Sequence, residues 1–509
     1  MRQRILRAIA LAATAALALA GCGGGGTAAT GDGSFDPNAV FRYAVPGMPT
    51  SFDPRLSAPL DPVFLDVVYE SLIGRTPAGE LQPGLATEWE FTEDHKSLTL
   101  TLREGVTFHN GAPFDSAAVV ASLDAFRAKG AQATSLTKVD RVEALGEYEV
   151  RIDFSEPSGH ILDVLSGEAG IVVEPTALAG TDLSTKPVGT GPFALTDLRQ
   201  GKITFTKFDK YWNADKTTIG GIEMTVFNDE PTRLRSVVSG EMDGTTIAAG
   251  QVEEAEANNL SIVKGPSSTV FALLLNTARS EFGDPLVRRA LTYAIDREAI
   301  SESLFDGDCT PTAQPFSTGF WPNVPDLDDV SEYHDVAKAR QFLADAGLPN
   351  GFSFEIVHLP NTSFADMGQI LQAQFTEIGV DTGLRTLEFT QMIQDTRRGD
   401  FTATIQRVQV TRPDPSQFIA DYYLPGGAYN PGGFAIDGVA DLLARSRASS
   451  DENERQGPTR RIITDVFDAG PPVIPICGVH WAAAFRPGVT GFQVPKLGDY
   501  DFASIKINR

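Results

Sequence analysis

VVYESLIGRTPAGELQPGLATEWEFTEDHKSLTLTLREGVTFHNGAPFDSAAVV, residues 67–120, is the stretch whose reading decides the fold. Within it, Leu98-Thr99-Leu100-Thr101-Leu102 alternates apolar and polar side chains with period two, the pattern of a strand buried on one face. The charged turn Arg103-Glu104-Gly105 ends that strand. The period then changes, because Ala118, Val119, Leu123 and Phe126 recur at helical spacing over 115–127, with Asp115 or Ser116 placed to cap the first turn. A second helix is expected at Asp284-Pro285, where an N-cap candidate precedes a first-turn proline. Its stripe is Leu286, Val287, Ala290, Leu291, Ala294 and Ile295. A third is expected from about Ala365 to Ile378, with Met367, Ile370, Leu371 and Phe375 inward and a stop at Gly379. Strands and helices mixed without strict alternation predict α/β or α+β lobes, and no internal repeat argues for a solenoid or propeller.

The whole chain has 509 residues, 42% hydrophobic and 21% charged, which exceeds what one core organises and implies roughly three domains' worth of structure. Lys and Arg number 42 against 66 Asp and Glu, a formal charge of −24 that argues against a binder of phosphate backbones or anionic membranes. Three cysteines exclude a disulfide-dense scaffold.

Residues 1–21 are set aside from fold reasoning. MRQRILR is a basic segment, and Ala8 to Leu19 is an apolar run too short to span a bilayer, so the pair is predicted to be a secretory signal. Leu19-Ala20-Gly21-Cys22 resembles the bacterial lipobox, which implies lipidation of Cys22 and removal of 1–21. GGGGTAATGDG follows, and residues 22–34 are expected to be a flexible tether.

The run 67–120 resembles the family 5 extracellular solute-binding proteins, the peptide-, dipeptide- and nickel-binding subunits of ABC importers. Tyr69-Glu70-x-Leu72, Pro83-x-Leu85-Ala86, Trp89 and Leu102-Arg103-x-Gly105-Val106-x-Phe108-His109 carry the resemblance. It continues at Val188-Gly189-Thr190-Gly191-Pro192-Phe193, Tyr211-Trp212, Gly240-Glu241-Met242-Asp243, Asn276, VRRALTYAIDREAI (287–300) and PPVIPI (471–476). The resemblance covers the chain from about residue 40 to the end. It implies an α/β, periplasmic-binding-protein-like fold (type II, cluster C), with two hinged lobes and an extra domain inserted in the first. Mapped here, lobe I takes 35–54, 188–270 and 487–509, the insertion 55–187 and lobe II 271–486, with hinge crossings near Val270 and Phe485. The implied partners are a solute, a two-subunit permease and two ATPase subunits, with no cofactor and no nucleic acid.

Several motifs have structural readings. His109, in a Phe-His-Asn-Gly turn, is expected to bond backbone, and the six histidines (95, 109, 160, 334, 358, 480) show no metal-ligand spacing. Gly189-Thr190-Gly191 runs into Pro192, which lacks an amide donor, so a turn between domains is expected and not a phosphate loop. Arg288 and Asp296 are expected to form a structural ion pair. Asp328-Asp329 and Asp451-Glu452 are expected to be solvated charge. Ser135-Leu136-Thr137-Lys138 matches the Ser-x-x-Lys of penicillin-recognising enzymes but has no Lys-Thr-Gly or Ser-Asp-Asn partner, and no catalytic residue is expected.

The candidate pocket segment is FTATIQRVQVTRPDPSQF (401–418). Phe401, Ala403 and Ile405 are expected on one strand face, which Arg407, Gln409 and Thr411 continue into a pocket. In peptide-binding relatives this segment carries Trp-x-x-Asp, whose aspartate neutralises the peptide ammonium. Aligned on Asp414-Pro415, the corresponding residues here are Val408 and Thr411. Dipeptide binders also carry an arginine after the strand equivalent to 352–358, where this chain has Leu359-Pro360-Asn361-Thr362-Ser363. Both charged anchors are absent, so a blocked peptide or another polar solute (a sugar, an opine, a metal chelate) fits the pattern as well as a free dipeptide. A sensory or scaffolding lipoprotein of the same fold is the alternative role. Further candidate wall residues are Met48, Thr50 and Ser51, the loop containing Asn430, and Trp481. Cys309 and Cys477 remain once Cys22 is lipidated, and an even pair outside the membrane is usually bonded, two buried thiols being the alternative. Cys22→Ala is expected to block maturation or release the protein; unchanged membrane fractionation of the variant would refute the anchor.

Overall fold

The computed structural model describes residues 35–58, 61–130, 133–180, 182–360, 362–409 and 414–508, the side chains of Thr362 and Gln409 excepted. Cys22, Asn361 and Thr411 therefore lie outside the described residues.

A mixed eleven-stranded sheet organises the chain. From one edge it runs through strands Asp381–Thr386, Ser353–His358, Ala403–Gln409, Ser261–Leu275 and Val473–Phe485. It continues through Gly244–Ile247, Val40–Val45, Gly221–Val226, Lys202–Lys207 and Phe193–Arg199, while Cys309–Pro311 pairs with Val473–Phe485. The two long central strands are antiparallel and belong to both halves of the sheet. Ser261–Pro266 ladder against Phe485–His480, and Val270–Leu274 against Gly478–Val473, with an irregularity between Pro266 and Val270. On one side of that break Ala482–Phe485 also pair with Gly244–Ile247. On the other side Thr269–Leu275 pair with Gln409–Ala403.

Strand alternation places the cores. Phe271, Leu273 and Leu275 face a cluster with Ala403, Ile405, Met367, Leu371 and Phe375. Val270, Ala272 and Leu274 face the opposite cluster with Val408, Ile419 and Ile463. Phe401 corrects the expectation for its segment: it packs in the second cluster, away from Ala403 and Ile405. The strand begins at Ala403, so Phe401 precedes it and is not bound by the alternation.

Between 54 and 187 the chain forms a second, antiparallel sheet of Ala86–Phe91, Ser97–Leu102, Glu149–Phe154 and Val139–Gly146. Leu98, Leu100 and Leu102 are buried and Thr101 is exposed, as period two requires. Helix Ser116–Lys129 covers the sheet, with Asp115 accepting from the Ala118 amide at 3.0 Å. Its core runs without a break into Phe41, Tyr43, Phe193 and Phe205 of the large sheet.

The motifs near both ends of this segment meet at Glu70. Its carboxylate accepts from Thr190 Oγ1 (2.9 Å), Tyr211 Oη (2.9 Å) and Trp212 Nε1 (3.0 Å). Burial raises the Glu70 pKa and these three donors oppose the rise. The Arg103 guanidinium lies 3.8 Å from the Trp212 ring centroid. A Cβ on Gly189 or Gly191 would stand 2.2 or 2.6 Å from the Val68 carbonyl oxygen, so only glycine allows the close approach. His109 donates its amide to Gly189 O, and its Nε2 lies 2.9 Å from Gly191 O. Burial pushes its pKa down to about 4, so the ring is neutral.

Two expected charge arrangements are corrected. Arg288 does not pair with Asp296; it donates to the carbonyls of Phe282, Gly283, Ala469 and Gly470. Helix Pro285–Ala294 ends before Asp296, which instead caps helix Arg297–Phe305 through the Ala299 amide. Asp328 is not free surface charge, because it accepts from Gln314 (2.7 Å) and Asn323 (3.1 Å) and so fixes its loop. Asp451 caps helix Glu452–Asp468. Cys309 and Cys477 form a disulfide that ties the short strand Cys309–Pro311 to the central strand.

Glu70→Gln replaces a two-oxygen acceptor by a group with one, leaving a buried donor unsatisfied. It is expected to destabilise the protein by roughly 1–3 kcal/mol in urea unfolding. Glu223→Gln, at the partly exposed pair with Lys202, is expected to cost no more than about 1 kcal/mol.

Candidate ligand-binding site

A cavity opens where three parts of the chain converge. Pro62, Asp66 and Ser71 form one wall, and residues 134–138 and 160–171 a second. Asp414, Gln417 and Arg447 close it from the other half of the molecule, and Leu497, Gly498 and Asp499 lie across it.

Local structure explains how each group reaches the cavity. Asp66 sits on helix Pro62–Val68, whose Val63, Phe64, Leu65, Val67 and Val68 are buried, so its carboxylate takes the remaining face. One Asp66 oxygen accepts from the Tyr500 amide at 2.8 Å. Asp499 lines the cavity with no hydrogen-bond or ion-pair partner among the described residues. Burial, and next the charge of Asp499, hold Asp66 well above the usual carboxylate range. Asp499 is itself exposed, and the desolvation that raises its pKa, with Arg75 opposing, comes from the walls around it. His160 is pushed down to about 4, mainly by burial, and is neutral, its Nδ1 lying 3.2 Å from Arg447 O. Ser135 Oγ donates to Gln417 Oε1 at 3.3 Å, while Lys138 pairs with Glu156 at 3.0 Å. The serine and lysine of the Ser-x-x-Lys match thus have separate partners.

The residues expected from sequence fare differently. Arg407 continues the face of Ala403 and Ile405, its guanidinium 5.0 Å from the Phe271 ring centroid and 5.6 Å from that of Phe364. It has no ion-pair partner among the described residues. Its side chain is exposed; the desolvation that lowers its pKa comes from the walls around it, and the negative charge of Glu230, at the start of helix Glu230–Val238, acts the other way. Ser51 is buried and occupied: its Oγ donates to Ser184 Oγ and accepts from the Asp53 amide. Thr50 is exposed, with its amide on Asp61, and Met48 packs against the core. The Asn430 side chain braces its own loop, bonding Leu424 O, Phe434 O and Phe434 N, each at 2.8 Å. Trp481 stacks on Phe492 at 5.3 Å between centroids and belongs to an aromatic cluster with Tyr500. Among the described residues no three metal-binding side chains gather, and no helix is long and apolar enough to cross a membrane.

The cavity residues were missed because they come from distant segments that share no local pattern. One signal was present: a single aspartate within the apolar run Pro62-Val63-Phe64-Leu65-Asp66-Val67-Val68.

The family model of the bacterial extracellular solute-binding proteins, family 5 (middle), matches residues 80–430. The glutathione-binding protein GsiB of Salmonella paratyphi A is 28% identical over 464 residues, covering 86% of this chain and 89% of that protein. The periplasmic binding protein DppA of Helicobacter pylori, solved with the peptide STSA, superposes with a TM-score of 0.81 at 23% identity, over 93% of this chain and 98% of that one. AgaA of A. tumefaciens R10, solved with agropinic acid, gives a TM-score of 0.80 at 24% identity, over 92% and 99%. The chain belongs to the family 5 extracellular solute-binding proteins, with their two-lobed type II fold. Its role is that of a substrate-binding protein of an ABC importer for peptides and related solutes, and its relatives are solute binders, not enzymes.

A carboxylate whose pKa is raised on folding contributes stability below the unfolded value, near 4, and loses it as pH rises through the folded value. At pH 7 the half-buried Asp66 therefore opposes folding of the empty protein, and the exposed Asp499 adds to this chiefly through its like charge beside Asp66. Asp499→Asn is expected to raise the ligand-free Tm at pH 7, with the difference from wild type shrinking toward pH 4. A lower Tm for the variant at pH 7 would contradict the assigned electrostatics.

Proposed function

We propose that this protein is tethered by a lipid on Cys22 and captures an amine-bearing peptide or peptide-like solute in the cavity walled by Asp66, Asp499 and Gln417. The carrying observation is Asp499, a solvent-exposed carboxylate that lines the cavity without a partner among the described residues, beside the half-buried carboxylate of Asp66. Such an arrangement costs stability in the empty protein and is relieved by a bound cationic group. It would do the work of the aspartate that relatives carry at the Thr411 position. Arg407, over two aromatic faces and without an ion-pair partner among the described residues, is the proposed partner for an anionic group of the solute. The glutathione named for GsiB and the peptide bound to DppA support a solute of this class.

The proposed division keeps lobe I, the insertion at 55–187 and lobe II, with one change of boundary. The irregular ladder at Pro266/Val270, opposite 478–480, favours a hinge there on both strands in place of a second crossing near Phe485.

The test is thermal shift and native mass spectrometry against glutathione, di- and tetrapeptides and their N-acetylated forms. Free-amine compounds are expected to raise Tm, acetylation to abolish the rise, and Asp499→Asn to abolish it too. Arg407→Ala is expected to weaken carboxylate-bearing compounds while leaving the ligand-free Tm unchanged. Equal shifts from acetylated and free compounds would remove the ammonium assignment. No shift with any of them would remove peptides as cargo.

A further inference from the structure

Arg447 is a cation of the cavity wall that the capture of an amine leaves unused. It stands near the end of helix Val439–Ala448 and lines the same cavity as Asp66 and Asp499, on the side closed by Asp414 and Gln417. One edge of its guanidinium is committed: Nε donates to Ser416 Oγ at 2.9 Å and Nη2 to Ser416 O at 3.1 Å. These two bonds fix the plane of the group against the first turn of helix Pro415–Tyr423. The other edge carries Nη1 and the second Nη2 hydrogen. It has no hydrogen-bond partner among the described residues, and Nη1 is not sealed off by the surrounding protein.

The acid beside it is already spent. Asp414 is held by Arg455 Nη2 at 2.6 Å and by the Ser416 amide at 3.1 Å, and the Ser416 hydroxyl donates to it as well. Ser416 Oγ thus stands between the two charges, giving its proton to Asp414 and accepting from Arg447. Lys138, the other base lining the cavity, pairs with Glu156 at 3.0 Å. Arg447 makes no ion pair among the described residues. Desolvation by the walls lowers its pKa, and the charge of Asp414 opposes. A guanidinium fixed on one edge and open on the other suits a carboxylate, whose two oxygens accept the parallel N–H groups of the open edge.

This position is separate from Arg407. The described residues that line the cavity do not include Arg407, which rests on Phe271 and Phe364 and continues the sheet face of Ala403 and Ile405. The helix that carries Ser416 packs through Phe418 and Ile419 into the opposite cluster. A solute that reaches both arginines therefore extends beyond the cavity and meets them as two distinct sites.

We propose that Arg447 is a second anion-binding residue, so that the solute carries two carboxylates besides its ammonium: a short acidic or γ-glutamyl peptide. The inference rests on the amine-binding reading above and narrows it from free-amine peptides in general to this class.

The test is titration calorimetry of the mature protein with glutathione, its two monoamides (one capping the glutamyl α-carboxylate, the other the glycyl carboxylate) and dialanine. All four probes keep the ammonium. Wild type is expected to bind glutathione about tenfold or more tighter than either monoamide or dialanine, as a lost bond to a charged group implies. Arg447→Gln is expected to weaken glutathione by a similar factor yet leave one monoamide unaffected, the one already lacking the carboxylate that Arg447 holds. Arg407→Ala is expected to spare the other monoamide. Should Arg447→Gln fail to fold, Arg447→Lys, which keeps a charge but has no second edge, is measured with the same expectation. Dialanine or either monoamide binding wild type as tightly as glutathione would overturn the second anion site and leave the amine reading intact. Equal weakening of glutathione and both monoamides by the Arg447 variant would reduce the residue to a brace for Ser416. Failure of every free-amine probe to bind would remove the amine reading itself and this inference with it.

Discussion

The fold turns on one carboxylate. Glu70 stands at the end of the first helix of the segment 55–187 and gathers donors from Thr190, where the chain returns to the large sheet, and from Tyr211 and Trp212. Its charge is sustained by three neutral donors, which is why burial raises its pKa without leaving it unsatisfied. Around this point the Gly189-Thr190-Gly191 turn presses on the Val68 carbonyl with no space for a side chain, and His109 bonds both glycine carbonyls. The departing and returning segments are thereby locked to one core that runs from Phe41 and Tyr43 into Leu98 and Ile152. The second sheet is thus fixed to the first, and what it touches elsewhere is set by that attachment.

The rest of the molecule hangs on two long strands. Ser261–Leu275 and Val473–Phe485 contribute to both halves of the large sheet, and their ladder is irregular between Pro266 and Val270. Pro266 has no amide to donate, and the break falls where the flanking partner changes from Gly244–Ile247 to Ala403–Gln409. Separate cores thus lie on either side of this irregular pair of strands. The charges at that cavity follow the same logic. Those at the contact between halves are paired on their own side, whereas Asp499 and Arg407 have no ionic partners of their own among the described residues.

Much of this was legible residue by residue. The strand at Leu98–Leu102, the helix capped by Asp115 and the helix beginning at Pro285 all appear where period and capping residues place them. These elements are local: their signals lie within one turn or one strand pair. The motif set also pointed to the family and to its two-lobed fold. Individual site residues were harder. Asn430 and Ser51 have the right chemistry for a solute, but their polar atoms are consumed by neighbours a few residues away or on another segment. Arg288 looked like half of an ion pair and instead binds four carbonyls, because its helix stops short of Asp296.

By itself the sequence determined the elements, the apolar faces and the family, since periodicity, capping and glycine placement act over short distances. Tertiary structure alone decided which polar groups are free and which are spent. Asp66 and Asp499 stand 433 positions apart and meet only because two segments cross at one cavity. Arg455 finds Asp163 only because the segment 55–187, fastened at Glu70, lies against a helix from the far end of the chain. Ionisation, unlike period, depends on what surrounds a charge in three dimensions, and no spacing in one dimension records it.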